Sequence, residues 1–207
     1  MKMTDFDQKD DKTSDPLEEL KDLMDDDLFT IHTRATTSHT HDIYLSEQVE
    51  DNYSYTRLLH FLRTLPAGNK INMYLASYGG SCSTGGQIIH AIRDCASPVH
   101  MIVDAPCYSM GAILALAGAS LELKPNTFLM FHNYSAGRSG KGGEMVLGTI
   151  ETNHWVLNMF ATICYPFLTQ EEIHLLKLDQ DVYVHSEDKG LKARMKRHYP
   201  TVKNKKR

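Results

Sequence analysis

A chain of 207 residues is long enough for one domain with a sizeable core, which excludes a disulfide-dependent mini-protein. With 42% hydrophobic and 23% charged residues, it is neither collagen-like nor disordered, and a soluble fold is expected. The net charge of -4 hides polarised ends: residues 1–27 carry a net -7 and residues 189–207 a net +9. Such runs are more often solvated tails than nucleic-acid surfaces, so no nucleic-acid binding is expected. The expected organisation is an acidic arm over 1–27, one domain over 28–199 and a basic tail over 200–207. The longest uncharged stretch, Ala105 to Leu121, is 17 residues and contains Pro106, Gly111 and Gly118, short of a membrane span. The start, MKMTDFDQKDDKTSDPLEEL, is acidic where a secretory signal would be basic and then apolar, so a cytoplasmic location without membrane contact is expected. Cys82, Cys95, Cys107 and Cys164 form no CxxC pair, and reduced thiols follow.

In chain order, Leu28 to His32 alternates like a strand, and DIYLS (42–46) is a second strand after a polar loop, TRATTSHTH. Tyr55, Leu58, Leu62 and Leu65 share one face of a helix that Pro66 and Gly68 end. KINMYLAS (70–77) reads as a strand running into a tight Gly79-Gly80 turn. A helix bearing Ile88, Ile89 and Ile92 follows, and then a strand over 98–104, at a spacing that predicts a βαβ unit in a parallel sheet. A sharp turn at Cys107-Tyr108 leads to SMGAILALAGAS, a small-residue apolar helix that must be buried on every side. TFLMFH (127–132) is a further strand, and NYSAGRSGKGG a glycine-rich segment. Val146, Ile150, Leu157, Ala161 and Cys164 mark the apolar stripe of a long helix, and Thr169 with Glu172 a capping box. Residues 181–184 form a short strand and 186–197 a charged last helix.

Glycines ending a strand leave amides pointing into a cleft, and a serine opening a buried helix has free amides beside it. Gly79, Gly80 and Ser109 stand in those positions. Acyl transfer needs a nucleophile, a base, a group that orients the base, and oxyanion donors. His132 ends one strand and Asp181 opens another, so both can reach the edge where ligands gather in such sheets. Asp179 could replace Asp181 if the register slipped by two, although Val182-Tyr183-Val184 starts a strand directly after Asp181. Ser109 could instead be only a helix cap. His32, His39 and His41 with Asp42 lie in a polar loop without a cysteine partner, so no metal is expected. Residues 127–144 look superficially like a phosphate loop, but Ser135 and Gly142 break the required pattern, so this chain has no ATP site and no cofactor is expected. Cys82 and Cys107 are read as packing residues.

The run from Asp42 to Gly80, then CYSMGAILALAGA (107–119), LKPNTFLMFHNYSAG (123–137) and LTQEEIHLLKLDQDVYVHSED (168–188), resembles the Clp protease proteolytic subunit, in order and at similar separations. That resemblance implies an α/β fold of the ClpP/crotonase kind: a βαβ superhelix with a parallel sheet and a protruding handle helix, here 145–165. It also implies a serine endopeptidase with Ser109 as nucleophile, His132 as base, Asp181 as orienting carboxylate, and the Gly80 and Met110 amides as oxyanion hole. Its substrates would be peptides or unfolded proteins, cleaved inside homo-oligomeric rings, two heptamers by resemblance, with an ATP-driven AAA+ unfoldase as partner.

Departures from the family pattern are specific. Tyr78 replaces the proline before the two glycines, and Cys107 and Tyr108 replace small residues, which is expected to narrow the pocket beside Ser109. Gln180 replaces an arginine that pairs across the ring interface, and the end, LKARMKRHYPTVKNKKR, does not match the family. Alternative functions are a relative dedicated to capsid or other assembly maturation, a crotonase-type acyl-CoA enzyme and a silent ring subunit. The serine with its downstream histidine disfavours the acyl-CoA enzyme, and the complete triad disfavours the silent subunit.

Overall fold

The computed structural model describes residues 29–34 and 38–200. The expected acidic arm over 1–27, Leu28, part of the polar loop and residues 201–207 of the expected tail lie outside the described residues. The larger of two sheets has the order β1-β2-β3-β4-β6, with strands β1 (Phe29–Arg34), β2 (Thr40–Val49), β3 (Lys70–Gly80), β4 (Val99–Val103) and β6 (Ser120–Leu123). β2, β3, β4 and β6 run parallel, as the βαβ spacing requires, while β1 pairs antiparallel with β2 at the edge. The smaller sheet is β5 (Cys107–Tyr108), β7 (Phe128–Phe131) and β8 (Val182–His185), in that order.

Helices α1 (Thr56–Thr64) and α2 (Cys82–Asp94) pack on each other and bury Leu58, Leu62, Ile88 and Ile89. Ser81 caps α2 by accepting from the Thr84 amide at 3.2 Å. Helix α3 (Met110–Ala115) lies between the sheets, against β3, α2, β5 and β7, and all six of its residues are buried. The small side chains of its sequence permit that. Gly111 shows why: a Cβ there would meet the Ser77 carbonyl oxygen at 2.7 Å. The helix is shorter than the apolar run, because turns occupy the residues from Leu116 to Ala119 and strand β6 follows.

Helix α4 (Gly142–Met159) continues as a π-helical turn over Phe160–Cys164. Its expected stripe faces the core only at its far end: Val146, Ile150 and Ala161 are exposed, Leu157 is half-buried, and Cys164 is buried. Helix α5 (Gln170–Lys177) opens on the expected capping box of Thr169 and Glu172. Helix α6 (Leu191–His198) starts later than the charge pattern suggests. Before it, Ser186 Oγ accepts from the Thr127 amide, Glu187 Oε1 from the Asn126 amide and Asp188 Oδ2 from the His185 amide, which commits those side chains to a turn. Two forked bonds of 2.6 Å from Arg194 to Glu172 tie α6 to α5, and Arg194 also donates to the Phe167 carbonyl at 3.1 Å. Burial alone would raise the Glu172 pKa, but the Arg194 bonds prevail and hold it below the ordinary carboxylate value. Among the described residues no helix is long and apolar enough to cross a membrane.

Candidate active site

Ser109 sits between a strand and a helix in a conformation that few residues adopt, φ 53° and ψ -123°. Such a backbone costs about 1–3 kcal/mol and persists only where its surroundings fix it. Here the Ser109 amide donates to the Met130 carbonyl at 2.8 Å, and its own carbonyl accepts from Ala112 at 3.1 Å and Ile113 at 3.2 Å. The turn thrusts the side chain out of the strand's alternation, as in a nucleophile elbow. Although Ser109 occupies the cap position of α3, its hydroxyl makes no capping bond, so the bland cap reading fails. Ser81, by contrast, is a working cap.

The turn expected at Gly79-Gly80 is instead the end of β3, with an irregularity opposite Glu47 and Gln48. Gly79 adopts φ 91°, and a Cβ on it would lie 2.7 Å from Ser109 Cβ and 2.8 Å from the Tyr108 carbonyl oxygen. Only glycine lets β3 pass this close to the elbow. Its amide donates to Ser77 Oγ at 3.2 Å. Gly80 pairs with Val49, and the Ser81 amide donates to the Val49 carbonyl at 2.8 Å. Met110, whose side chain lies against Gly85, is fully buried and follows Ser109 directly.

The smaller sheet assembles the other candidates. β5 runs parallel to β7 with Tyr108 opposite Met130, and β7 runs antiparallel to β8 with Phe131 opposite Val182. One step beyond that last pair, the register sets His132 opposite Asp181. Ser109 directly follows β5, His132 directly follows β7 and Asp181 directly precedes β8, so all three flank the ends of paired strands. Asp179 lies outside the ladder, at φ 56°, with Oδ1 accepting from Asn133 Nδ2 at 2.9 Å. Among the described residues no hydrogen bond joins Ser109 Oγ, His132 and Asp181.

Residues 25–188, more than three-quarters of the chain, match the family model described as Clp protease. The chain belongs to the Clp protease family. Membership brings peptidase activity of the Clp type in general, and proteins of this family generally assemble as rings acting on peptides.

Within this family framework, the cysteines beside the site behave as packing groups. Burial pushes the Cys107 thiol up to about 11 and also raises that of Cys82, so neither supplies a thiolate at neutral pH. Cys107 is fully buried, whereas Tyr108 is half-buried. Among the described residues no group of three or more His, Cys, Asp or Glu is arranged to hold a metal ion. A feature that sequence reasoning missed is Asn133, which follows His132 and anchors Asp179. A polar residue adjoining a strand-end histidine was its only signal.

Proposed function

We propose that this member of the Clp family is a serine endopeptidase in which Ser109 attacks, His132 takes its proton and Asp181 orients His132. The observation that supports the reading is the register of the smaller sheet: Tyr108, before the strained and uncapped Ser109, pairs with Met130, and Phe131, before His132, pairs with Val182, which follows Asp181. In the first step, His132 accepts the hydroxyl proton as Ser109 Oγ bonds to the peptide carbonyl carbon. The oxyanion faces the Gly80 and Met110 amides. His132 then gives the proton to the departing amine as the peptide C–N bond breaks. Water, deprotonated by His132, attacks the acyl-enzyme and releases the acid and Ser109. Packing of copies into a double ring, two heptamers by family resemblance, closes the bonds that the protomer leaves open. An ATP-driven unfoldase supplies unfolded substrate to the chamber, and the working compartment is the cytoplasm.

Mass spectrometry after fluorophosphonate labelling, coupled to native mass measurement, tests this directly. Label on Ser109 in a ring-sized particle is expected. Absence of label from an intact ring would overturn the serine assignment. The carboxylate is tested separately: Asp181→Asn is expected to lower kcat by about four orders of magnitude, because an amide favours the wrong tautomer of His132, while Asp179→Asn has little effect. The reverse order would transfer the role to Asp179.

A further inference from the structure

Strand β6 ends the larger sheet, and its register with β4 sets Ser120 opposite His100. Side chains alternate along both strands. Val99, Met101 and Leu121 are buried in the core, whereas His100, Ser120 and Glu122 turn to the other face and are half-buried. There the imidazole lies between two partners: Nδ1 is 2.5 Å from Ser120 Oγ, and Nε2 is 3.5 Å from Glu122 Oε2. Lys124 Nζ donates to the other carboxylate oxygen, Oε1, at 2.7 Å, which keeps Oε2 turned to the ring. The same bond holds the Glu122 carboxyl below the ordinary carboxylate value, so it is ionised at neutral pH.

A carboxylate beside Nε2 favours the tautomer with its proton there, which leaves the Nδ1 lone pair to accept from the Ser120 hydroxyl. The order is nucleophile, base and orienting carboxylate, with the two ring nitrogens exchanged relative to the usual serine triad. We infer that Ser120, His100 and Glu122 form a second nucleophilic site, at which Ser120 takes the acyl group of an activated ester. In that step Ser120 Oγ bonds to the acyl carbon while the bond from that carbon to a phenolate or thiolate breaks. The hydroxyl proton passes to His100 Nδ1 and from there to the departing anion, and Glu122 faces the imidazolium formed in between. Ser120 stands within a strand and not at a helix start, where free amides gather to hold an oxyanion. Donors with a good leaving group therefore suit it, and peptide bonds do not. The inference is independent of the peptidase reading of Ser109.

The test exposes the full chain to p-nitrophenyl acetate and follows acetylation of each serine by fragmentation mass spectrometry, with the exposed Ser139 as internal reference. Ser120 is expected to acetylate about 100-fold faster than Ser139, in the wild type and in Ser109→Ala alike. His100→Gln, which keeps a hydrogen-bonding side chain on the strand but no base, is expected to bring Ser120 down to the Ser139 rate. Glu122→Gln lowers the Ser120 rate about tenfold, since an amide no longer favours the productive tautomer. Equal rates at Ser120 and Ser139 in the wild type would overturn the site and leave the Ser120–His100 bond a structural one; that comparison needs no variant to fold. An unchanged Ser120 rate in His100→Gln would overturn it as well, as would acetyl found on Lys124 with none on Ser120. Loss of acetylation at Ser120 in Ser109→Ala alone would likewise overturn it, by making the group a passenger from the other serine.

Discussion

Helices α3 and α4 draw on similar apolar residues and meet opposite fates. Every residue of α3 is buried between the two sheets, whereas the first half of α4 leaves Val146 60%, Leu147 65% and Ile150 56% exposed. The partners of α3 all belong to its own chain. The first half of α4 leaves its apolar row exposed, a feature that fits the rings which proteins of this family generally form. The parts that shape the elbow are satisfied within the protomer, and the apolar row of α4 is not.

Gly111→Val strikes the satisfied side of that contrast and carries the largest expected effect. The new side chain must displace Ser77 and β3, so a loss of about 3 kcal/mol is expected, visible as a lower urea midpoint with peptidase activity lost in parallel. A variant as stable as wild type would mean that α3 is not clamped.

Acid sharpens the same contrast at the far end of α3. His198 Nε2 donates to the Leu116 carbonyl oxygen at 3.0 Å, and burial holds its pKa below the ordinary value of 6.5. In the unfolded chain the ring binds a proton as pH falls through 6.5, while in the fold it stays neutral. Stability is therefore full above pH 6.5 and declines on acidification toward the lower folded pKa. Burial also lowers the His41 pKa, with the same sign, so the informative comparison is with His198→Gln. Between pH 7.5 and 5.5 the variant is expected to lose less of its urea midpoint than wild type does.

On the unsatisfied side, Ile150→Asp is expected to change protomer stability by less than about 0.5 kcal/mol while abolishing ring-to-ring association in native mass spectra. If, as the family resemblance implies, Gln180 stands where relatives place an arginine across the ring interface, it brings no charge there, and the association is also expected to persist at high salt. Dissociation on raising salt would point to ion pairs that Gln180 does not make.

These two helices also show how far the sequence could be read. The family, the βαβ unit and the strands β2, β3, β4, β7 and β8 were legible, because they rest on local pattern and on four motifs in a row. The preference for Asp181 over Asp179 rests on the strand that starts directly after it, which local pattern reveals; the pairing of that strand with β7 is a long-range fact. Strand β6 escaped notice because Glu122 and Lys124 pair with each other at 2.7 Å on an open edge and hide its apolar alternation. The stripe of α4 misled, since periodicity reports which residues are apolar and says nothing of whose core they enter. The contacts of Tyr108 with Tyr78 and Phe128 were out of reach as well, because these rings lie far apart in sequence and only the pairing of strands makes them neighbours.

The most direct test of the central claim, that the strained serine at the edge of the smaller sheet is the nucleophile, is hydrolysis of a fluorogenic peptide by purified Ser109→Ala protein. The hydroxyl makes no capping bond, so fold and native mass are expected to match wild type while peptide cleavage disappears. Retained hydrolysis by the pure, fully assembled variant would contradict the account.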